Sequence, residues 1–392
     1  MIVLDLARSF VGVVGMAASK ISPLDERFAL NQRINGPWPE GPFLWLHGAS
    51  LGECRMLLNV AKYIQEDIKN CPKILITTQK ADVLEFLQQS GANITCCIAP
   101  ADTPYTMVRF IKKVRPIGLV LAENELWPGY LSSMRKLSLK PAVSIISGRF
   151  QRAVSKSDFS AIGFACMQSG TDLSRLISEC PPEITSKIQI GGDWKLLPWV
   201  RSNKEIEAPH NPTVDTTFLS FHFSEWNSLL RMTLSSIKRQ ESVVIIPRRL
   251  EEVDHFRNEL RDQELLVVEW PLIQKGAVSL VSKYGQTVDV LEKSKTAVVG
   301  GSFSRTLGVH DFWEPLQLGV STCVGPYSHG HKSTVEALVR EGVLSQLRST
   351  ANYAKRDLPD IRLVKTFLTH ERAKISESYS QFIAYLEDLF QG

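Results

Sequence analysis

The chain has 392 residues, 44% of them apolar and 22% charged, which is too long for one ordinary hydrophobic core and predicts two domains. Lys plus Arg number 45 against 41 Asp plus Glu, a net charge of +4, and this excludes a nucleic-acid binder held by charge alone. Residues 1–150 carry 17 Lys/Arg against 12 Asp/Glu, or +5, leaving −1 for the rest; that lean suits an anionic partner, and is equally what a solvated surface shows.

The uncharged run from Ser9 to Ser19 is far below the roughly 20 residues that cross a bilayer. Asp5 stands where the positive region of a signal peptide belongs. The run is either a buried helix or a segment lying in a membrane surface with Lys20, Arg27 and Arg33 behind it. Periodicity alone favours the buried helix. From Phe43 onward, near-continuous apolar runs predict strands at Phe43–His47, Lys73–Thr77, Ile94–Ile98, Ile117–Ala122 and Ala142–Ile146, as strands buried on both faces require. Helical patterns fill the gaps at Gly52–Ile68, Lys80–Gln89, Pro104–Val114 and Pro128–Leu137. The alternation stops near Gly191–Pro212 and restarts with strands at Thr217–Phe221, Ser242–Pro247, Leu265–Glu269, Thr296–Val299 and Ser321–Val324, followed by an amphipathic helix over Glu371–Phe390. The expected plan is a membrane-surface or buried segment at 1–20, one Rossmann-like domain over 21–191, a linker at 192–212, a second over 213–366 and a C-terminal helix at 367–392. Seven cysteines, at 54, 71, 96, 97, 166, 180 and 323, make no Cys-x-x-Cys pair; neither a zinc site nor a disulfide framework is indicated.

In α/β sheets ligands bind beyond the carboxyl ends of strands, so the loops there carry the chemistry. His47-Gly48-Ala49-Ser50-Leu51-Gly52-Glu53 leads from strand to helix, and its amides and helix N-terminus favour an anion. Ser50 and Glu53 also fit a plain helix cap. Glu123-Asn124-Glu125-Leu126-Trp127-Pro128 sets two carboxylates two apart; strand alternation puts both on one face, and their proximity raises the proton affinity of one. Arg149 closes the next loop. In the second half, Arg248 follows a strand, Gly300-Gly301-Ser302 forms a turn whose amides suit a phosphate, and His310 and Glu314 follow, the carboxylate suited to ribose hydroxyls. The turn matches neither the dinucleotide nor the P-loop pattern.

Taken together, HGASLGE (His47 to Glu53), ENELWP (Glu123 to Pro128), IPR (Ile246 to Arg248), GGS (Gly300 to Ser302), H-x3-EP (His310 to Pro315) and Gly325-Pro326 resemble, in order and spacing, the 3-deoxy-D-manno-octulosonic acid (Kdo) transferases of lipopolysaccharide synthesis. The resemblance implies an α/β protein of GT-B type, two Rossmann-like domains facing a central cleft, peripheral or monotopic at the cytoplasmic face of the inner membrane, and by analogy it turns the segment at 1–20 from core into a membrane-surface anchor. It implies transfer of Kdo from CMP-Kdo to a lipid A precursor, with inversion, no metal, no other cofactor and no nucleic-acid partner. By resemblance Glu53 is the general base, Glu123 and Glu125 position the acceptor or support Glu53, and Ser50, Gly52 and Arg149 line the acceptor side. Arg248, Gly300, Gly301, Ser302, His310 and Glu314 would hold the nucleotide sugar. The family's usual Thr between the ELWP-box carboxylates is Asn124 here, its Asn-Ala-Arg is Ser147-Gly148-Arg149, its Pro-Arg-His is Pro247-Arg248-Arg249, and its Gly-Gly-His-Asn is Gly308-Val309-His310-Asp311. These departures mark a divergent member. They keep open two other readings, a related GT-B enzyme with a different nucleotide sugar or acceptor and an inactive two-domain binding protein.

Overall fold

A computed structural model describes residues 29–391 apart from 92, 139, 151–158 and 356; the expected segment at 1–20 lies outside the described residues. The chain divides into two units, Met1–Ser202 with Arg372–Gly392, and Asn203–Glu371.

In the first unit the apolar runs become seven parallel strands: β1 (Phe43–His47), β2 (Ile74–Thr78), β3 (Thr95–Ile98), β4 (Pro116–Ala122), β5 (Val143–Gly148), β6 (Ile162–Met167) and β7 (Ile188–Ile190), in the order β3-β2-β1-β4-β5-β6-β7. Every residue of β1 and β2 is buried, as helices on both faces of a parallel sheet demand. The helices are α1 (Leu51–Asp67), α2 (Ala81–Gln89), α3 (Pro104–Val114), α4 (Pro128–Leu137) and α5 (Gly170–Ile177). Both α3 and α4 open with Pro at the first turn, where the missing N–H costs nothing. Trp45 stands at the centre of one core, its ring 4.7 Å from Phe110 and 4.8 Å from Tyr130 between centroids.

The second unit repeats the plan with β8 (Val214–Phe221), β9 (Val243–Pro247), β10 (Val267–Glu269), β11 (Val278–Leu280), β12 (Ser294–Val299), β13 (Ser321–Val324) and β14 (Ser345–Gln346), in the order β10-β11-β9-β8-β12-β13-β14. Its helices are α6 (Trp226–Lys238), α7 (Val253–Asp262), α8 (Trp313–Gln317) and α9 (Lys332–Arg340). In each sheet a switch point lies beside the first strand, between β1 and β4 and between β8 and β12. A crevice opens at such a switch point. The loops that border the two switch points are those holding Glu53, Glu123 and Glu125 in the first unit, and Glu225, Gly300 and Gly301 in the second.

The expected linker at 192–212 is shorter than the sequence suggests. Trp194–Leu196 is a 3-10 turn and Leu197–Ser202 a helix, and the chain leaves the first unit only after Ser202. The reason is Trp194, fully buried, whose Nε1 donates to Ser378 Oγ at 3.1 Å. Ser378 lies on the C-terminal helix α10 (Ile361–Gln391), which begins earlier than the expected 367. From Arg372 onward this helix belongs to the first unit, burying Ile375, Tyr379, Phe382 and Leu386.

Candidate active site

Helix α1 starts with a complete capping box. The Glu53 N–H donates to Ser50 Oγ at 3.3 Å, and Glu53 Oε2 accepts from the N–H groups of Ala49 at 2.6 Å and Ser50 at 3.2 Å. A Cβ on Gly48 would stand 3.0 Å from Glu53 Cβ, so a glycine there lets the loop fold tightly against the helix. The cap holds Glu53 in place while burial, followed by the negative charges of Glu123 and Glu125, pushes its carboxyl up to about 7 against the pull of those two N–H groups. A cap that served stability alone would keep its carboxylate ionised.

The two carboxylates after β4 do not share a face. The strand ends at Ala122, and Glu123 adopts φ +51°, a left-handed conformation that an L-residue takes at a cost. The expected alternation is broken there, and the pair separates into two environments. Glu123 is buried and meets two cations, Lys195 Nζ at 2.6 Å from Oε1 and Arg149 Nη2 at 2.5 Å from Oε2. Glu125 Oε2 accepts from Trp127 Nε1 at 2.7 Å and Gln79 Nε2 at 3.2 Å, and His47 Nε2 lies 3.3 Å away. Burial works to raise the Glu125 carboxyl, but the His47 and Trp127 contacts hold it below the usual carboxylate range. The raised proton affinity expected of this pair therefore belongs to Glu53.

Two members of this cluster went unread in the sequence. Lys195 sits inside the expected linker; a Cβ on Gly52 would lie 3.8 Å from its Nζ. Burial works to lower its proton affinity, but Asp193 and Glu123 hold it above the ordinary lysine value. Asp193 is buried and accepts from Ser147 Oγ at 3.2 Å and the Lys195 N–H at 3.1 Å. His47 was read only as part of a motif; its Nδ1 lies 2.9 Å from Thr77 Oγ1 and 3.2 Å from the Thr77 carbonyl. The signal that could have found Lys195 is the Gly-Asp-Trp-Lys run ending an apolar strand.

In the second unit the Gly300-Gly301-Ser302 turn departs from the open phosphate cradle expected of it. The Gly300 N–H donates to Leu219 O at 2.7 Å. Those of Gly301 and Phe303 donate to the buried Glu225 carboxylate at 2.7 Å and 3.0 Å, and Glu225 also accepts from the His222 N–H at 3.1 Å. Ser302 is buried, its Oγ donating to Val299 O and accepting from the Gly325 N–H at 2.7 Å. The turn is thus closed on itself by a carboxylate, an arrangement available only because Gly301 takes φ +74°, where a side chain would strike the Gly308 carbonyl. Beside it, His222 Nε2 and His310 Nε2 are 2.9 Å apart, so one proton is shared between two imidazoles. Burial and the neighbouring charge of the exposed Arg248 lower His310 to about 4. Glu314 lies half-buried in the first turn of α8, which Asp311 caps by accepting from the Trp313 N–H at 2.9 Å. The predicted residues thus fall into two groups: Ser50, Gly52, Glu53, Glu123, Glu125 and Arg149 in the first unit, and Arg248, Gly300, Gly301, Ser302, His310 and Glu314 in the second. Among the described residues no group of three or more His, Cys, Asp or Glu side chains is disposed to hold a metal ion, and no helix is long and apolar enough to cross a membrane.

Comparison with known proteins accords with this geometry. The family model described as 3-deoxy-D-manno-octulosonic-acid transferase (kdotransferase) matches residues 22–195, which span the whole Glu53–Glu123–Lys195 cluster. The 3-deoxy-D-manno-octulosonic acid transferase of Chlamydia pneumoniae is 25% identical over 77% of this chain and 74% of its own. That of Aquifex aeolicus is 23% identical over 89% of this chain and 94% of its own. Among solved structures, the glycotransferase of kitacinnamycin superposes with a TM-score of 0.54 at 10% identity, covering 90% of this chain and 100% of that one. A UDP-GlcNAc 2-epimerase from Neisseria meningitidis gives 0.52 at 12% identity, covering 89% and 100%. These superpositions establish the fold, two Rossmann-like domains of GT-B type. Over residues 22–195 the chain is similar to the Kdo transferase family model, and over most of its length to Kdo transferases.

Proposed function

We propose that this glycosyltransferase moves Kdo from CMP-Kdo to a hydroxyl of a lipid A precursor with inversion, at the cytoplasmic face of the inner membrane, and that Glu53 is its base. The observation that carries the reading is a buried carboxyl raised to about 7, held by its own helix cap beside Glu123 and Glu125. A base works best when its proton affinity lies near the working pH. In this reading a Glu53 oxygen takes the proton of the acceptor hydroxyl as that oxygen bonds to the anomeric carbon. The bond from that carbon to the donor phosphate breaks, and CMP leaves with the electron pair. A single displacement inverts the centre. The charges of Glu123, clamped by Lys195 and Arg149, and Glu125, clamped by His47 and Trp127, keep Glu53 proton-hungry. The leaving phosphate is assigned to Arg248 and the His222–His310 pair, since the turn amides of Gly300 and Gly301 are engaged within the chain; no metal step is invoked.

Incubation with CMP-Kdo and a tetra-acylated lipid A precursor, read by mass, tests the reaction directly. The closed Gly300–Ser302 turn favours one second reading, a different nucleotide on the same fold. Calorimetry of CMP against UDP, GDP and ADP separates the two, and the absence of a CMP preference removes the first.

A further inference from the structure

Three loops of the second unit reach the carboxyl edge of its sheet side by side. The Arg248 N–H donates to Phe221 O at 2.8 Å and the Gly300 N–H to Leu219 O at 2.7 Å, which sets Arg248, His222 and the Gly300 turn next to one another across the switch point. His310 closes on that turn, its N–H donating to Gly300 O at 3.1 Å. Its ring centroid lies 5.0 Å from that of His222, with the two Nε2 atoms 2.9 Å apart. Both rings are half-buried, and Arg248 and Arg249 are exposed, so a solute can reach them. The charged groups around the pair are Arg248 and Arg249 after β9, Glu252 in the following turn, Glu225 ahead of α6 and Asp311 beside His310. Each of the three carboxylates accepts from a backbone N–H, those of Phe223, Gly301 and Trp313 in turn.

The contact between the two rings fixes their charge. One Nε2 carries hydrogen and the other accepts it, so neither ring is an imidazolium. A second hydrogen would set two N–H groups head to head. Burial, Arg248 and the facing ring lower His310 to about 4, and burial lowers His222 as well. An anion reverses that balance. A phosphate oxygen entering between the rings accepts from both Nε2–H groups, and the pair then carries one positive charge. We propose that the donor's phosphodiester binds to this histidine pair together with one proton drawn from solvent. The inference deepens the proposed function and rests on it for the presence of a phosphate at this edge. The diester carries one negative charge and departing CMP about two, and the added charge develops beside the imidazolium, which stabilises it. The proton then leaves with CMP or returns to solvent, and the pair is neutral for the next donor.

A unit negative charge about 3.5 Å away raises the pH at which such a proton is lost by about three, here from about 4 to about 7. The probes are the 5′-(methyl phosphate) diesters of cytidine and uridine, whose phosphate keeps a single charge throughout. Calorimetry of the full chain in two buffers of unequal ionisation heat, neither a phosphate, counts the protons bound with each nucleotide. Wild type takes up about 0.9 proton per nucleotide at pH 6 and about 0.1 at pH 8, and its affinity falls about tenfold between them. The double variant His222→Gln with His310→Gln takes up none. His255→Gln, which removes an exposed imidazole beside Phe223, keeps the wild-type count. Thermal melts establish which variants are folded, and the wild-type count decides by itself if the double variant is not. Binding without proton uptake at pH 6, uptake that persists in the folded double variant, or an equal loss in His255→Gln overturns the proposal. Uptake with no preference for cytidine leaves the proton-linked site standing and removes CMP as its nucleotide. Failure of both nucleotides to bind overturns both readings.

Discussion

Replacing Glu53 by Gln should make the protein inactive and, at alkaline pH, more stable. The folded chain keeps the Glu53 proton up to about pH 7, whereas the unfolded chain releases it near 4.5. Wild type therefore loses stability as pH rises between those values, and above them holding the charge buried costs about 3 kcal/mol. Gln has no such cost. Its Oε1 can still accept from the Ala49 and Ser50 N–H groups, a weaker cap by roughly 0.5–1 kcal/mol. The net gain is about 2 kcal/mol at pH 8, a rise of about 5 °C in the melting temperature of the first unit, shrinking to nothing near pH 4.5. Turnover with CMP-Kdo and lipid A precursor should fall by about 10²–10⁴. Wild-type kcat/KM should climb tenfold per pH unit below about 7 and level off above it. A variant within tenfold of wild-type turnover, or a melting difference independent of pH, would refute Glu53 as a buried base with a raised proton affinity.

Lys195→Met leaves the Glu123 carboxylate with Arg149 alone and should lower stability by about 2–3 kcal/mol, read as a melting shift at pH 7. Because Lys195 is held above the ordinary lysine value, its contribution is complete at pH 7 and lost only as pH climbs past that raised value, so the difference between variant and wild type should narrow in strong alkali. Arg248→Ala should weaken CMP binding about tenfold or more by calorimetry, the scale of one charge-assisted contact, while leaving the melting of the first unit unchanged. Treatment with a chelator should leave the transfer rate unaltered; restoration of a lost rate by added magnesium would assign the leaving phosphate to a metal instead of to Arg248 and the histidines.

Much of the architecture was readable because parallel strands buried on both faces leave long Val/Ile/Leu runs: β1 coincides with its apolar run, and α3 and α4 start at the prolines that open them. Four strands were missed for physical reasons. Ile162–Met167 is interrupted by Gly163, while Ile188–Ile190 and Val278–Leu280, of three residues each, and Ser345–Gln346, of two, are too short to show a period. Residues 192–202 read as linker because Gly192, Pro198 and mixed charge leave no clear period, whereas the side chain that decides their fate, Trp194, is buried by a helix some 180 residues further on. No local pattern contains that contact.

The same limit governs the site. Glu53 was legible because a capping box is a local device, with all of its hydrogen bonds between residues 49 and 53. The role of Glu123 was not, because it depends on one backbone angle and on two cations 26 and 72 residues away in sequence. Had the strand stayed extended, both carboxylates would have lain on one face and shared the strain of like charge. The left-handed turn at Glu123 instead gives each its own partners. Glu53, capped only by two amides, meets the charge of both. At one sheet edge Glu53 is thus raised to exchange a proton near neutrality while Glu125 is lowered, and that difference is what makes an acid–base assignment possible. A comparable device closes the second unit's turn: Glu225 accepts from the backbone N–H groups of His222, Gly301 and Phe303.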